Sequence, residues 1–165
     1  MKLSSAEKKI VDTVTELSDD ICQFTCDLVA HPSTLGNEAG AVAVMEEKLS
    51  RLGYSPTRVP IDYDALKDHP GFAPVTWEYK DKDNVLTKIE PAVHKGKSLL
   101  FNGHLDVVSA EPAEYWEQDP YTPRVEDGWI CGRGAGDMKS GVAAMTYAAY
   151  AIRKAGFELA APLTV

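Results

Sequence analysis

The sequence predicts an α/β fold in which helices cover a sheet in three layers. Three observations predict it. Three stretches carry apolar residues at helical spacing, short apolar runs bounded by turn residues lie between them, and the two kinds of signal alternate along the 165 residues. A chain of this length can bury a core as one domain or as part of one.

The first helix is expected from Ser4 to about Val29. Ile10, Val14, Leu17, Ile21, Phe24 and Leu28 recur at alternating spacings of four and three, which keeps them in one stripe. Ser4 and Glu7 form a capping box and Pro32 ends the run. A coiled coil would need the heptad sustained further, so the stripe is read as one face laid on a core. After the polar loop "HPSTLGNEAG", in which His31 precedes a proline and is read as a loop residue, a second helix carries Val42, Met45, Leu49 and Leu52 inward and stops at Gly53.

Tyr54 to Val59 reads as a strand, followed by a long polar connection punctuated by Pro and Gly. Asp62, Asp64 and Asp68 lack the spacing and closing glutamate of a calcium loop. Strands are expected at Asn84–Ile89 and Ser98–Asn102, and Asp127-Gly128 signals a hairpin. The third helix is expected from Met138 to Ala155, with Val142, Met145, Ala149 and Ile152 inward and Gly156 as its stop. "PLTV" begins another apolar strand, and the sequence ends on Leu163-Thr164-Val165, as the amino-terminal piece of a larger sheet would. Half a sheet is expected to leave an open strand edge that invites association.

Charge narrows the function classes. A net charge of -8 argues against a nucleic-acid or anionic-membrane partner, each of which needs clustered Lys and Arg. The amino terminus carries charges at short intervals and has no apolar signal region, and no run approaches the ~20 residues of a membrane span. A cytoplasmic protein is the expectation. Three cysteines, an odd number, fit reduced thiols; Cys22 and Cys26 stand one helical turn apart without the further Cys or His a zinc clip needs.

Two stretches carry chemistry. "GRGAGDMKSG" (Gly132 to Gly141) lacks the glycine directly before Lys139-Ser140 that a phosphate loop needs, and it misses the dinucleotide spacing after Gly132-x-Gly134. Its other reading is a turn that presents Asp137, at the start of the third helix, to a cation; a carboxylate has two oxygens and can bridge two metals. In "LLFNGHLDVVS" an apolar strand runs into His104-Leu105-Asp106. In extended chain His104 and Asp106 share a face, which suits a metal-ligating imidazole and the carboxylate that fixes its tautomer. Cys131 has no base nearby in sequence to make it a nucleophile. Arg133 is expected to brace the turn, and Lys139 to be a surface residue of the first helical turn.

"NGHLDVV", followed by the Trp116 to Met145 stretch with "EDGWICGRGAGDMKSGVAAM", resembles the M20 metallopeptidase family of acetylornithine deacetylase and succinyl-diaminopimelate desuccinylase. The resemblance extends to the first helix, "HPSTLGNE" and the Trp77 region. It implies a mixed, mostly parallel sheet of a zinc-aminopeptidase-like catalytic domain, of which residues 1–165 would be the amino-terminal portion. It also implies that His104 ligates one zinc, that Asp106 orients His104 and supports catalysis, and that Asp137 bridges two Zn2+ ions, with Co2+ an alternative. The implied reaction is hydrolysis of an N-acyl amide of an amino acid or small peptide-like substrate. In this family a Glu-Glu pair carrying the general base, further ligands and a dimerisation domain lie beyond the position matching "PLTV". These residues alone are therefore expected not to turn over substrate, and the longer protein to be a homodimer. Two rival readings stay open: a degenerate, noncatalytic binding protein of the same fold, and a nucleotide-binding protein.

Overall fold

A computed structural model describes residues 2–165. Helices α1 (Ser5–Glu16), α2 (Ser18–Val29), α3 (Ala39–Arg51) and α5 (Ser140–Lys154) form the helical layer, and a single turn, α4 (Tyr63–Leu66), interrupts the long connection. The apolar stripe of the first helix is continuous in sequence, but the helix is not. It breaks at Leu17 (φ -93, ψ 2) and restarts at Ser18, whose first turn holds Asp19 and Asp20, favourable at a helix amino terminus. The Ser4–Glu7 capping box is present, with both reciprocal bonds made.

Leu17, Phe24 and Leu28 from this stripe meet Met45 and Leu49 of α3 and Val142 and Tyr147 of α5 in one buried cluster. Each such side chain contributes roughly 1.5–3 kcal/mol by leaving water, so the seam between α2, α3 and α5 is the part of the molecule that packing stabilises most. Val14, by contrast, stays exposed on α1. The third helix begins at Ser140, two residues later than expected, because neither Asp137 (φ -132, ψ 100) nor Met138 (φ -131, ψ 39) has helical backbone.

The strands form three small sheets. β1 (Thr57–Pro60) pairs antiparallel with β2 (Asp83–Leu86). β3 (Lys88–Ile89), β7 (Leu163–Thr164) and β4 (Leu99–Leu100) form a sheet in the order β3-β7-β4, with β7 antiparallel to β3 and parallel to β4. β5 (Arg124–Glu126) and β6 (Trp129–Cys131) make the expected hairpin, turning through Asp127 and Gly128, both at positive φ. The mixed helix-and-strand class is as expected. Within the described residues, though, one ladder alone is parallel. The single strand expected over Asn84–Ile89 divides at buried Thr87, whose backbone exchanges hydrogen bonds with Val165. Leu163 is buried at the sheet centre, whereas Leu99 and Leu100 are exposed on β4, an edge strand.

Candidate metal centre

His104 leaves β4 on an irregular segment that is held on two sides. Gly103 lets the backbone approach α5 closely: a Cβ there would stand 2.7 Å from Met145 Cε and 3.2 Å from Val142 Cγ2. On the other side, buried Ser33 donates its hydroxyl to Leu105 O (2.5 Å), and its carbonyl accepts from Val107 N–H (2.9 Å). Leu105 packs partly against the core while His104 and Asp106 point outward, as the two-residue period requires.

Asp137 comes from a wide turn, Ala135–Lys139, closed by Lys139 N–H donating to Gly134 O at 3.0 Å. Gly134 is left-handed (φ +80, ψ 0), and a Cβ on it would collide with Val107 Cγ1, so a side chain is excluded there by backbone and neighbour together. Asp137 caps no amide of α5, and the peptide joining it to Met138 is cis.

The two segments converge. His104 Nε2 lies 3.1 Å from Asp137 Oδ1, across 33 residues of sequence. His104 Nδ1 lies 3.0 Å from the backbone oxygen of Asp106 and 3.3 Å from Asp106 Oδ1. In the neutral ring whose Nδ1–H donates to the Asp106 carbonyl, the Nε2 lone pair faces a carboxylate oxygen. Two electron-rich atoms at that distance need positive charge between them, either a proton or a metal cation, and the donor set therefore fits a cation. Partial burial lowers the affinity of His104 for a proton, but the Asp106 carbonyl, the Asp137 carboxylate and both nearby charges outweigh it and raise its pKa above the usual histidine value.

Asp137 is exposed over 91% of its side chain and His104 over 44%, so the pair opens to solvent. It stands beside a groove of about 1140 Å³ whose walls include Trp77, Lys82, Leu100, Val108, Met145 and Val165. Among the described residues no three His, Cys, Asp or Glu side chains converge as a metal cage. Cys22, Cys26 and Cys131 are free thiols.

Two residues read differently from sequence. Lys139 is no surface residue: it is wholly buried, and its Nζ donates to Leu28 O (2.8 Å) and His31 O (3.0 Å) at the carboxy-terminal end of α2. Burial pulls its pKa down to about 8. Its helical-turn position concealed this, because nothing in sequence says that α2 ends opposite it. Ser33 was legible only as part of a polar loop. Arg133 does brace the turn, with its guanidinium 4.9 Å from the Trp116 ring centroid and its backbone N–H on Pro120 O.

Comparison with known proteins bears on this arrangement. The profile of Peptidase family M20/M25/M40 matches residues 100–165, which contain His104, Asp106 and Asp137. Succinyl-diaminopimelate desuccinylase of Cereibacter sphaeroides is 37% identical over 132 residues, covering 79% of this chain and 29% of that enzyme. The chain belongs to the M20 peptidase family. The M20 fold is equally evident in three dimensions. Human carnosine dipeptidase 1 superposes with a TM-score of 0.72 at 25% identity, over 95% of this chain and 33% of that one. An M20 family metallo-carboxypeptidase, Sso-CP2 from Sulfolobus solfataricus, shares the fold with a TM-score of 0.62 at 21% identity, over 85% and 28% of the respective chains. This M20 chain thus spans about a third or less of the relatives it matches. No helix among its described residues is long and apolar enough to cross a membrane.

Proposed function

We propose that this chain supplies part of a dinuclear metal centre that hydrolyses an amide bond in an N-acyl amino acid or small peptide. The observation that carries the reading is the convergence of His104 Nε2 and Asp137 Oδ1 at 3.1 Å, with Asp106 on the opposite ring nitrogen. His104 and Asp137 would hold the metal, two Zn2+ in the complete centre with Co2+ as a substitute. Such a cation supplies Lewis acidity toward an amide carbonyl and draws the pKa of water toward ~7. Asp106 fixes the imidazole's tautomer and orientation, and keeps Nε2 available as a donor to the cation. Asp137, with a second oxygen free and its side chain exposed, has the capacity to bridge. The groove beside the pair is the proposed seat of the substrate's acyl and side-chain groups.

The named relatives, a desuccinylase and a dipeptidase, support the substrate class. We further propose that residues 1–165 are the amino-terminal portion of a catalytic domain in a cytoplasmic homodimer, and that the general base and remaining ligands stand outside them. On this reading the 165 residues bind metal but do not turn over.

The test is calorimetric titration of the chain with Zn2+, alongside assays of N-acetylornithine, N-succinyl-diaminopimelate and a dipeptide. Zn2+ binding that is lost in both His104→Gln and Asp137→Asn is expected. Unchanged binding in both variants would overturn the metal assignment. Turnover by the wild-type chain that disappears in Asp137→Ala would overturn the proposed absence of the base.

A further inference from the structure

The two loops that bear His104 and Asp137 share no strand and no helix, and each is tied to the same short segment, Leu28–Ser33, at the end of α2. On the His104 side the tie is Ser33: its hydroxyl to Leu105 O and its carbonyl from Val107 N–H flank His104 and Asp106. On the Asp137 side it is Lys139, two residues on, with Nζ on Leu28 O and His31 O. Both tying residues are 0% exposed. A fully buried ammonium is costly unless it is hydrogen-bonded, so its place is narrowly defined by the carbonyls it meets. Those carbonyls lie in the last turn of α2 and just beyond it, where the helix dipole also favours a cation. The buried serine hydroxyl is bound by the same requirement for a partner.

We propose that Lys139 and Ser33 are positioning residues for the metal centre: by tying both ligand-bearing loops to the Leu28–Ser33 segment, they set the separation of His104 and Asp137. The proposal rests on the metal assignment above for its consequence, though not for its geometry. A bare ion pair on two exposed side chains would not hold one geometry against solvent. Here the backbone beneath each side chain is fixed by a buried contact, and the same stretch of chain provides both fixed points. The Ser33 and Lys139 side chains bond to backbone carbonyls and not to the His104 or Asp137 side chain.

The experiment uses the whole chain and the variants Lys139→Met, Lys139→Gln and Ser33→Ala, with Arg153→Met as control. Arg153 caps α3 in a comparable way, on Leu52 O and Gly53 O, and lies outside this anchor. The first readout needs no metal: the ring N–H resonances of His104 at fixed pH, with Asp137→Asn marking the spectrum in which the contact to the Asp137 carboxylate is lost. Lys139→Met and Ser33→Ala are expected to move these resonances toward that spectrum, and Arg153→Met to leave them unchanged. The second readout is Co2+ affinity from the visible absorption of the bound ion, expected to fall about 10-fold or more in each anchor variant. If Lys139→Met does not fold, Lys139→Gln and Ser33→Ala decide the matter. Folded anchor variants with wild-type His104 resonances overturn the proposal. A wild-type chain that takes up no Co2+ overturns the metal assignment instead, and the His104 resonances still decide the anchor.

Discussion

Gly134→Ala perturbs the turn beneath Asp137, and its cost can be built from two contributions. The residue sits at φ +80, where a Cβ costs about 1–2 kcal/mol against the backbone. The new methyl would also collide with Val107 Cγ1, a side chain 7% exposed and packed behind the His104 segment. Forcing extra volume into such a place costs about 1–3 kcal/mol. Alanine's smaller unfolded-state entropy returns about 0.4–1 kcal/mol. The sum is about 3 kcal/mol, and at about 2–4 °C per kcal/mol for a chain of this size the midpoint should drop by about 6–12 °C. Urea unfolding followed by circular dichroism, with calorimetry for Tm, measures it. A cycle with Val107→Ala separates the two contributions. That single change costs about 1–2 kcal/mol as a truncated core side chain, and the double variant should be more stable than additivity predicts by about 1–3 kcal/mol, with the backbone share remaining. A Gly134→Ala protein within about 0.5 kcal/mol of wild type, or a cycle additive to within about 0.5 kcal/mol, would refute the reasoning.

Further outcomes are expected. Burial raises the Glu38 carboxyl, but its hydrogen bonds from Lys82, Gly36 N–H and its own amide, with the Lys82 charge, outweigh this and lower its pKa; the stability it adds is present above the ordinary value of 4.5 and is lost as pH falls through the depressed one. Acid unfolding should therefore lose part of its pH dependence in Lys82→Met, and identical profiles would count against the pair. His104 is raised above 6.5, so its contribution to stability is complete below that pH and is lost as pH rises through the raised value; an NMR titration should give a lower pKa in Asp137→Asn, and an unchanged one would deny the contact. Zn2+ competes with that proton, so calorimetry should find weaker binding as pH falls toward and below 6.5, and pH-independent affinity would exclude His104 as a ligand. Leu49→Ala empties a fully buried position between α3 and its neighbours, and urea unfolding should record a loss of about 2–5 kcal/mol.

Much of this molecule was legible in its residues. Apolar spacing in α2, α3 and α5 marked Phe24, Leu28, Met45, Leu49 and Val142 as core, and all five are buried. Asp127-Gly128 marked the hairpin, because few residue pairs accept two positive φ values in succession. His104, Asp106 and Asp137 were named from their local company, and the structure brings each of the two carboxylates to one nitrogen of the His104 ring. Less legible was the division of the first helix at Leu17, since a continuous apolar stripe records which face is buried and says nothing of a change in axis. The long connection after β1 hid a cluster of Tyr63, Phe72, Trp77 and Tyr79, residues too far apart in sequence to form a periodic pattern.

By itself the sequence determined which side of α2, α3 and α5 faces the core, where the β5–β6 hairpin turns, and which imidazole and carboxylates stand in stretches suited to holding a metal, because each of these follows from the spacing of neighbours along the chain. Only the tertiary structure decided that Lys139 is buried rather than solvated, and that Ser33 and Lys139 tie the His104 and Asp137 loops to one segment. The reason is physical: a buried polar group takes whatever partner lies across the core, and for Lys139 that partner is 108–111 residues away in the chain.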